Sequence, residues 1–230
     1  MALGIGLSSA HNYYVPIFEP SDILNLALWL EYNTGITSED DETSAAGNLD
    51  DNDKIKQWDD QSGNSNHAVQ TTTTDMPRYE SDDNSVKFAN KAKFMDLTSN
   101  ISINANTDFT CIIRVNFSPH MDVALGLLGH DSNDLFRSLA DGTGFRAKMS
   151  DTVQSNWVEA SDALVVDTYY IITLTRSNGA TGNLTVHVDG GAFSDKEWDA
   201  AEGATDADDF DISNIGCEVD DKLALDAYVK

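Results

Sequence analysis

Short runs in which apolar and polar side chains alternate recur along this chain and constrain its fold more than any other feature. The alternation is strongest in residues 109–117, 170–175, 184–188 and 223–229. A period of two places one set of side chains on a buried face and the other toward solvent, as in a half-buried strand. Since no long stretch shows a helical apolar stripe, the sequence predicts an all-β sandwich or barrel.

The chain is long enough to form one substantial core. It has 230 residues, of which 40% are hydrophobic, and needs no disulfide or metal supports at this size. The residues predicted to be buried are Trp29, Trp58, Phe88, Phe109, Val115, Ile172, Val186 and Leu225. Residues 1–20 show neither the period of 2 typical of a strand nor the period of 3.6 typical of a helix, and we interpret them as an extended arm. Residues 21–230 are interpreted as the domain. Cys111 and Cys217 are too few for a disulfide framework, although a single bridge is open.

The charge balance is strongly acidic, with 39 Asp and Glu against 14 Lys and Arg and a formal net charge of −25. Such a chain repels phosphate backbones and anionic lipid surfaces, which argues against nucleic-acid binding and membrane insertion. Two meanings of the charge remain, solubility in a salty medium and capture of divalent cations. No segment approaches transmembrane length, and the opening residues do not have the pattern of a secretory signal.

Two segments before residue 54 differ in character. Residues 26–30, Leu-Ala-Leu-Trp-Leu, form a short apolar run typical of a strand buried on both faces. Residues 31–53 are polar and acidic, with Glu39-Asp40-Asp41-Glu42 near their centre. A connection of this length is usually functional or mobile, and we predict a long surface loop.

The most specific segment is residues 58–70, which read W-D-D-Q-S-G-N-S-N-H-A-V-Q. They resemble the W-x-D-x-S-G-N-x-N-H-A-x-Q segment of bacterial and phage domains with the concanavalin A-like, laminin-G-like fold. Neighbouring segments follow the family order: residues 26–30 resemble its L-x-L-W-L strand, residues 77–79 its P-x-Y, and residues 212–216 its I-x-x-I-G strand. The resemblance implies a two-sheet antiparallel jelly-roll sandwich over residues 21–230.

The residues of this segment also have a direct physical interpretation. Residues 62–64, Ser-Gly-Asn, are turn chemistry, because Gly and Asn tolerate positive φ. Asp59 or Asp60 can cap the free amides of the turn, and Trp58 places a large apolar ring beneath it. The motif is therefore interpreted first as architecture. The alternative is a weak calcium site with oxygen ligands from Asp60 and Asn64.

Other candidate sites rest on isolated residues. Asp206 and Asp208 belong to an acidic cluster that lacks EF-hand spacing, so a solvated loop is weighed against a second weak calcium site. Trp157 and Trp198 lie in acidic, loop-like surroundings, where exposed indole rings would stack on sugars. Core packing is the more common role of tryptophan. These patterns require no cofactor, and calcium is expected at most as a weakly bound ion.

Catalytic constellations are not apparent in the sequence. Glycoside hydrolases on this fold commonly resemble E-x-D-x-x-E along one strand, and the nearest match begins at Glu39 and has Ser44 in place of the last acid. The five histidines have no zinc-ligand spacing, and no G-x-S-x-G element is present. The chain is therefore predicted not to be an enzyme, with a glycoside hydrolase as the least favoured alternative.

The arm carries a second resemblance. Its opening, M-A-L-G-I-G-L-S-S-A-H-N-Y-Y, resembles that of virion structural proteins of tailed phages of marine bacteria. The resemblance implies a virion protein assembled in the host cytoplasm for capsid decoration or host-surface adhesion, with capsid or tail proteins and host glycans as partners. The residues expected to dock on another virion protein are Leu3, Ile5, Leu7, Tyr13 and Tyr14. The alternatives are a lectin-like module without a virion role and an arm that packs on its own sandwich.

Overall fold

Two antiparallel β-sheets face each other across one hydrophobic core in the computed structural model of this chain. The structure describes residues 20–117, 123–149, 154–158, 164–177, 183–189, 191–192, 196–198, 208–217 and 225–229. Short 3₁₀ turns occur at Pro20–Asp22, Ser44–Ala46 and Ala140–Gly142. The prediction of an all-β, two-sheet antiparallel sandwich is confirmed.

Sheet A contains ten of the described strands, which we number along the chain. In spatial order they are β1 (Ile36–Ser38), β2 (Ile55–Trp58), β3 (Ala68–Val69), β6 (Met95–Ile103), β16 (Phe210–Ile215), β8 (Gly126–Gly129), β9 (Leu135–Ser138), β10 (Gly144–Lys148), β11 (Gln154–Val158) and β15 (Lys196–Trp198).

Sheet B contains seven of the described strands. In spatial order they are β14 (Gly191–Ala192), β13 (Asn183–Val188), β12 (Tyr169–Ser177), β7 (Phe109–Phe117), β17 (Leu225–Val229), β5 (Ser85–Lys93) and β4 (Arg78–Glu80). The alternating segments found in the sequence correspond to β7, β12, β13 and β17, so period-2 patterning located the middle of this sheet correctly.

The core lies between the inner faces of the two sheets. In β12, Ile172 and Leu174 are fully buried, whereas Ile171, which precedes Ile172 in the same strand, is 47% exposed. Burying such a side chain contributes roughly 1.5–3 kcal/mol. Among the residues predicted for the core, those that are buried are Trp58, Phe88, Val115, Ile172 and Val186.

Two residues predicted for the core are less buried than expected. Trp29 and Phe109 are only partly buried. Phe109 stacks on Phe210 with ring centroids 5.8 Å apart and lies beneath the guanidinium of Arg176 at 5.1 Å. Phe109 therefore lies at the edge of the core rather than at its centre. The side chain of Leu225 lies outside the described residues.

Residues 26–30 are not a strand, contrary to the prediction. Their side chains are partly buried or exposed, and their backbone bonds to a turn instead of a neighbouring strand. The N–H of Trp29 donates to Asp60 Oδ1 at 2.9 Å, and the Trp29 carbonyl accepts from the Gln61 N–H at 2.7 Å. Side chains of the turn and a loop amide form the hydrogen bonds of this backbone that a neighbouring strand would otherwise form. The apolar run of residues 26–30 is therefore extended coil instead of a strand.

The prediction of one long surface loop over residues 31–53 is also wrong. The segment contains β1, which pairs with β2, and the side chain of Ile36 is fully buried. Ser44 is buried too, and its Oγ accepts from the Ile36 N–H at 3.0 Å. Hydroxyl groups satisfied in this way allow a polar sequence to enter the sandwich edge.

Cys111 and Cys217 are both thiols rather than halves of a disulfide. Residues 1–19 lie outside the described residues, so the arm and its boundary with the domain stay predictions. Within the described residues, no helix has the length and apolar character needed to cross a bilayer.

The two sheets approach each other closely at one edge. An isolated antiparallel bridge joins Lys54, just before β2 of sheet A, to Arg78, the first residue of β4 in sheet B. Residues 70–77, which connect β3 to β4, pass over this junction. The junction therefore collects side chains from both sheets and from one loop.

Candidate functional site

The turn that follows β2 is organised by one buried carboxylate, Asp60. Its side chain is 7% exposed. Oδ1 accepts hydrogen bonds from the N–H groups of Trp29 (2.9 Å) and Ser62 (2.8 Å). Oδ2 accepts from the Ser62 hydroxyl (2.8 Å) and the Asn66 N–H (3.1 Å). One carboxylate thus ties both ends of the turn to a segment some thirty residues earlier in the chain.

These hydrogen bonds determine the protonation of Asp60. Burial by itself raises the pKa of the carboxyl, but the donors on Trp29, Ser62 and Asn66 outweigh it and hold the pKa below its ordinary value. The fold therefore stabilises the ionised form.

Other side chains of the turn hold the preceding extended segment by its carbonyl groups. The amides of Asn64 and Asn66 donate to carbonyl oxygens in residues 26–27 at 2.6 and 2.9 Å. The indole N–H of Trp58, whose ring is buried, donates to the carbonyl of Glu31 at 2.9 Å. In the described structure, the polar groups of the motif are engaged with the chain's own backbone, as the architectural interpretation expects.

The same turn sets the register of β2 against β3. Trp58 pairs with Ala68 and Gln57 pairs with Val69. Trp58 and Ala68 face the core, so the alternation of the strands places Gln57 and Val69 on the opposite face. A slip of one residue would exchange the two sets. The register therefore decides which side chains line the outer surface beside β2.

A cleft lies on this surface where the two sheets meet, and we name it the edge cleft. It consists of two adjoining hollows that share Thr73 and Met76. The mixed hollow, of about 450 Å³, is lined by Glu39, Asp40, Lys56, Gln57, Val69, Gln70, Thr71, Thr73 and Met76. The cationic hollow, of about 280 Å³, is lined by Lys54, Thr73, Thr74, Met76, Arg78 and Lys93.

The walls of the mixed hollow are held by ion pairs. Lys54 Nζ lies 2.9 Å from Glu39 Oε1, and Lys56 pairs with Asp41. Gln70 is buried, and its side-chain oxygen accepts from the Thr72 N–H at 2.9 Å. The loop over the hollow is thereby fixed by contacts beneath it, so the polar groups of the cleft are preorganised.

The acidic run that most nearly matches a glycosidase sequence lies at this cleft. Glu39 and Asp41 are engaged by two different lysines, and Asp41 is in a turn with φ +67°. A retaining pair requires two carboxyl groups about 5–5.5 Å apart on either side of a scissile bond. Carboxylates already neutralised by separate ammonium groups are poorly suited to act as such a pair.

The predicted calcium ligands fall into two places. Asp60 and Asn64 share the β2–β3 turn, where Ser62 Oγ contacts both side chains. Asp208 Oδ1 accepts from the Asp209 N–H at 2.9 Å, and Asp206 lies outside the described residues. Among the residues that the structure describes, no group of three or more His, Cys, Asp or Glu side chains is arranged to hold a metal ion. Weak calcium binding stays a prediction.

The two tryptophans proposed for sugar stacking lie on adjacent strands. Trp157 in β11 pairs with Lys196, and Trp198 in β15 pairs with Ser155. Trp157 also pairs with Phe145 of β10, a residue of the core. The role of both tryptophans in sugar stacking stays a prediction.

Sequence reasoning missed the edge cleft. A signal was present, because six of the 14 basic residues lie between positions 54 and 93 of an otherwise acidic chain. Arg78 and Lys93 belong to the paired strands β4 and β5 of sheet B, and the bridge between Lys54 and Arg78 brings Lys54 to the same hollow from the edge of sheet A.

No family model matches the chain, and the search of curated proteins gives no match. Among solved structures, the chain is similar to the binding domain of Paraclostridial Mosquitocidal Protein 1, with 14% identity, a TM-score of 0.49, and coverage of 86% of this chain and 49% of that one. It is also similar to a structure of botulinum neurotoxin type C, a toxin whose cell entry is dependent upon interaction with two ganglioside molecules. This match has 13% identity, a TM-score of 0.35, and coverage of 80% of this chain and 44% of that one. The chain spans about half the length of these structures. Neither likeness assigns a function to it.

The Asp60→Asn variant is expected to lose about 1–3 kcal/mol of unfolding free energy at pH 7, because a buried, fully hydrogen-bonded charge is removed. The folded-state pKa of Asp60 is lowered, so its contribution is present above the unfolded pKa of about 4 and is lost as pH falls through the folded value. Urea unfolding from pH 7 to pH 2 measures the effect.

Asp83→Asn, which alters an exposed carboxylate, is the matched control and should behave like the wild type. A stability gap between wild type and Asp60→Asn that stays constant down to pH 2 would contradict a role for the ionised carboxylate.

Proposed function

We propose that this chain is a non-enzymatic glycan-binding module displayed on a phage particle, and that the edge cleft is its glycan site. The observation that carries the proposal is the combination of carboxylate, amide, hydroxyl and ammonium groups around two adjoining hollows. Sugar hydroxyls both donate and accept hydrogen bonds, so a saccharide site needs acceptors and donors side by side.

The mixed hollow supplies both kinds of group. Asp40 and the Gln57 side-chain oxygen offer acceptors. Lys56 pairs with Asp41 and the Gln57 amide donates to Asp59 Oδ1 at 2.6 Å, and each group has further N–H donors for a ligand. Met76, which is 5% exposed, forms an apolar floor against which the C–H face of a sugar ring would pack. Open hollows that combine polar and apolar lining groups suit an extended chain of sugar units better than a small apolar ligand.

The non-enzymatic part of the proposal rests on the engaged carboxylates. Glu39 and Asp41 are ion-paired with Lys54 and Lys56, rather than arranged as two unpaired carboxyl groups on either side of a bound sugar. A glycoside hydrolase remains the competing function, and reducing-sugar release from a bound polysaccharide would favour it.

The virion part of the proposal rests on the sequence of the N-terminal arm. Its apolar residues would dock on a capsid or tail protein, recovering roughly 25 cal/mol for each Å² of apolar surface removed from water. The domain would then project from the particle as a decoration or as an adhesion module for host-surface glycans. Localisation to the virion, after assembly in the host cytoplasm, follows from the same resemblance.

Thr73→Trp should abolish glycan binding, because Thr73 lines both hollows and a bulky indole would obstruct the boundary that they share. Thr110→Trp is the control, since Thr110 is exposed on sheet B. Binding of the wild type and both variants to an array of bacterial and algal polysaccharides measures the effect. Equal binding by wild type and Thr73→Trp would exclude the edge cleft as the site.

Deletion of residues 2–18 should leave the thermal unfolding of the domain unchanged and abolish its incorporation into particles, because the arm is proposed to contact another virion protein. Co-sedimentation of tagged full-length and truncated chains with purified particles measures incorporation. Unfolding or aggregation of the truncated chain would show instead that the arm packs on its own sandwich. A full-length chain that binds glycans but never joins particles would favour a lectin-like module.

A further inference from the structure

The charges of the cationic hollow run against those of the whole chain. Its charged lining residues are Lys54, Arg78 and Lys93, and no carboxylate lines it, although acidic residues outnumber basic ones 39 to 14. The three cations come from the start of β2, the start of β4 and the end of β5. The bridge between Lys54 and Arg78 holds two of them at the junction of the sheets.

Two of these cations retain unused hydrogen-bonding capacity. Arg78 donates to the carbonyl of Asn52 at 2.8 Å, and Lys93 donates to the carbonyl of Thr74. Neither has a carboxylate partner within the part of the chain that the structure describes. A guanidinium carries five N–H donors and an ammonium three, so further donors remain for a ligand. Both residues are partly buried, and the hydrogen bonds of their charged groups lie at the exposed surface, where an anion can reach them.

We propose that the cationic hollow binds an anionic substituent of the glycan, a carboxylate or a sulfate ester, while the mixed hollow holds the neighbouring sugar ring. This inference rests on the proposed glycan function and gives it a substrate class, acidic polysaccharides. The planar fork of Arg78 fits two oxygens of a carboxylate or sulfate, and Lys93 adds a point charge. The shared residues Thr73 and Met76 make the two hollows one continuous subsite.

The net charge of −25 does not oppose a ligand of this kind. At physiological ionic strength the Debye length is about 8 Å, so carboxylates elsewhere on the surface are largely screened from the hollow. The same net charge disfavours duplex nucleic acid and anionic membranes, because these present many phosphates over a surface much wider than three cations. Two carboxylates, Glu39 and Asp40, line the adjoining mixed hollow, and Glu39 is paired with Lys54. A single acidic group on a sugar chain would therefore meet chiefly Arg78 and Lys93.

Isothermal titration of the full chain with matched polysaccharides tests this inference. The probes are polygalacturonate and its methyl ester, and a sulfated galactan and its desulfated form. We expect each acidic form to bind at least about tenfold more tightly than its neutral partner, with affinity falling as salt rises. The two pairs separate carboxylate from sulfate recognition.

Arg78→Gln and Lys93→Gln should each weaken binding of the preferred acidic polysaccharide about tenfold and leave binding of its neutral partner unchanged. Lys148→Gln is the matched control. It removes the same charge from β10, where Lys148 likewise donates to a carbonyl, that of Ser132 at 2.9 Å. Affinity of that variant should equal that of the wild type.

The outcomes separate this inference from the proposed function. Equal affinity for acidic and neutral forms, with Thr73→Trp abolishing both, would overturn the anionic subsite and leave the glycan site standing. If no polysaccharide binds but monomeric galacturonate shifts the amide resonances of Thr73, Thr74 and Arg78, the glycan function fails and the anion site stands. Binding of duplex DNA or phosphatidylserine vesicles that Arg78→Gln abolishes would overturn the assignment to sugars.

Discussion

The Asp60 carboxylate is the constraint on which the edge of the sandwich depends. Its four hydrogen bonds fix the turn between β2 and β3 and anchor Trp29 to that turn. A buried charge is tolerated because each oxygen has two donors, and removal of any donor would leave part of the charge uncompensated. The antiparallel register of β2 and β3, and hence the outward direction of Gln57 and Val69, follows from this turn.

The edge cleft is a consequence of how two sheets close at that edge. Sheet A contributes β2, sheet B contributes β4 and β5, and the connection from β3 to β4 crosses the gap between them. Backbone bonding at the Lys54–Arg78 bridge holds the sheets together without filling the space above it. Polar side chains from both sheets and from the connection between β3 and β4 therefore surround a cleft that neither sheet would form alone, and this cleft is where we propose that a hydroxylated, acidic ligand binds.

The parts of the fold that could be predicted are those with a long repeating pattern. β7 alternates over most of its length and β12 over residues 170–175, so their inner and outer faces are largely apparent from the sequence. Residues 26–30 were misassigned because composition does not reveal what satisfies the backbone, and there the partners are side chains of the β2–β3 turn. β1 was missed because three residues, two of them hydroxylated, are too short for a period.

The candidate site shows the same division. The turn motif predicted structural roles for Asp60 and Trp58. Such roles can be predicted because a carboxylate that caps a turn and a ring beneath it depend mainly on residues nearby in the sequence. The cleft could not be predicted in this way, since Lys54 meets Arg78 and Lys93 only where the edge of sheet A is bridged to sheet B. Non-local sheet closure, rather than local propensity, creates the site.

The most direct measurement is a crystal structure of the chain with a galacturonate trisaccharide bound. The account predicts density for the sugar in the edge cleft, with one carboxylate contacting the Arg78 guanidinium and the Lys93 ammonium and a sugar ring beside Met76. Density for the trisaccharide elsewhere, such as beside β11 and β15 at the far edge of sheet A, with the edge cleft occupied by solvent, would contradict it.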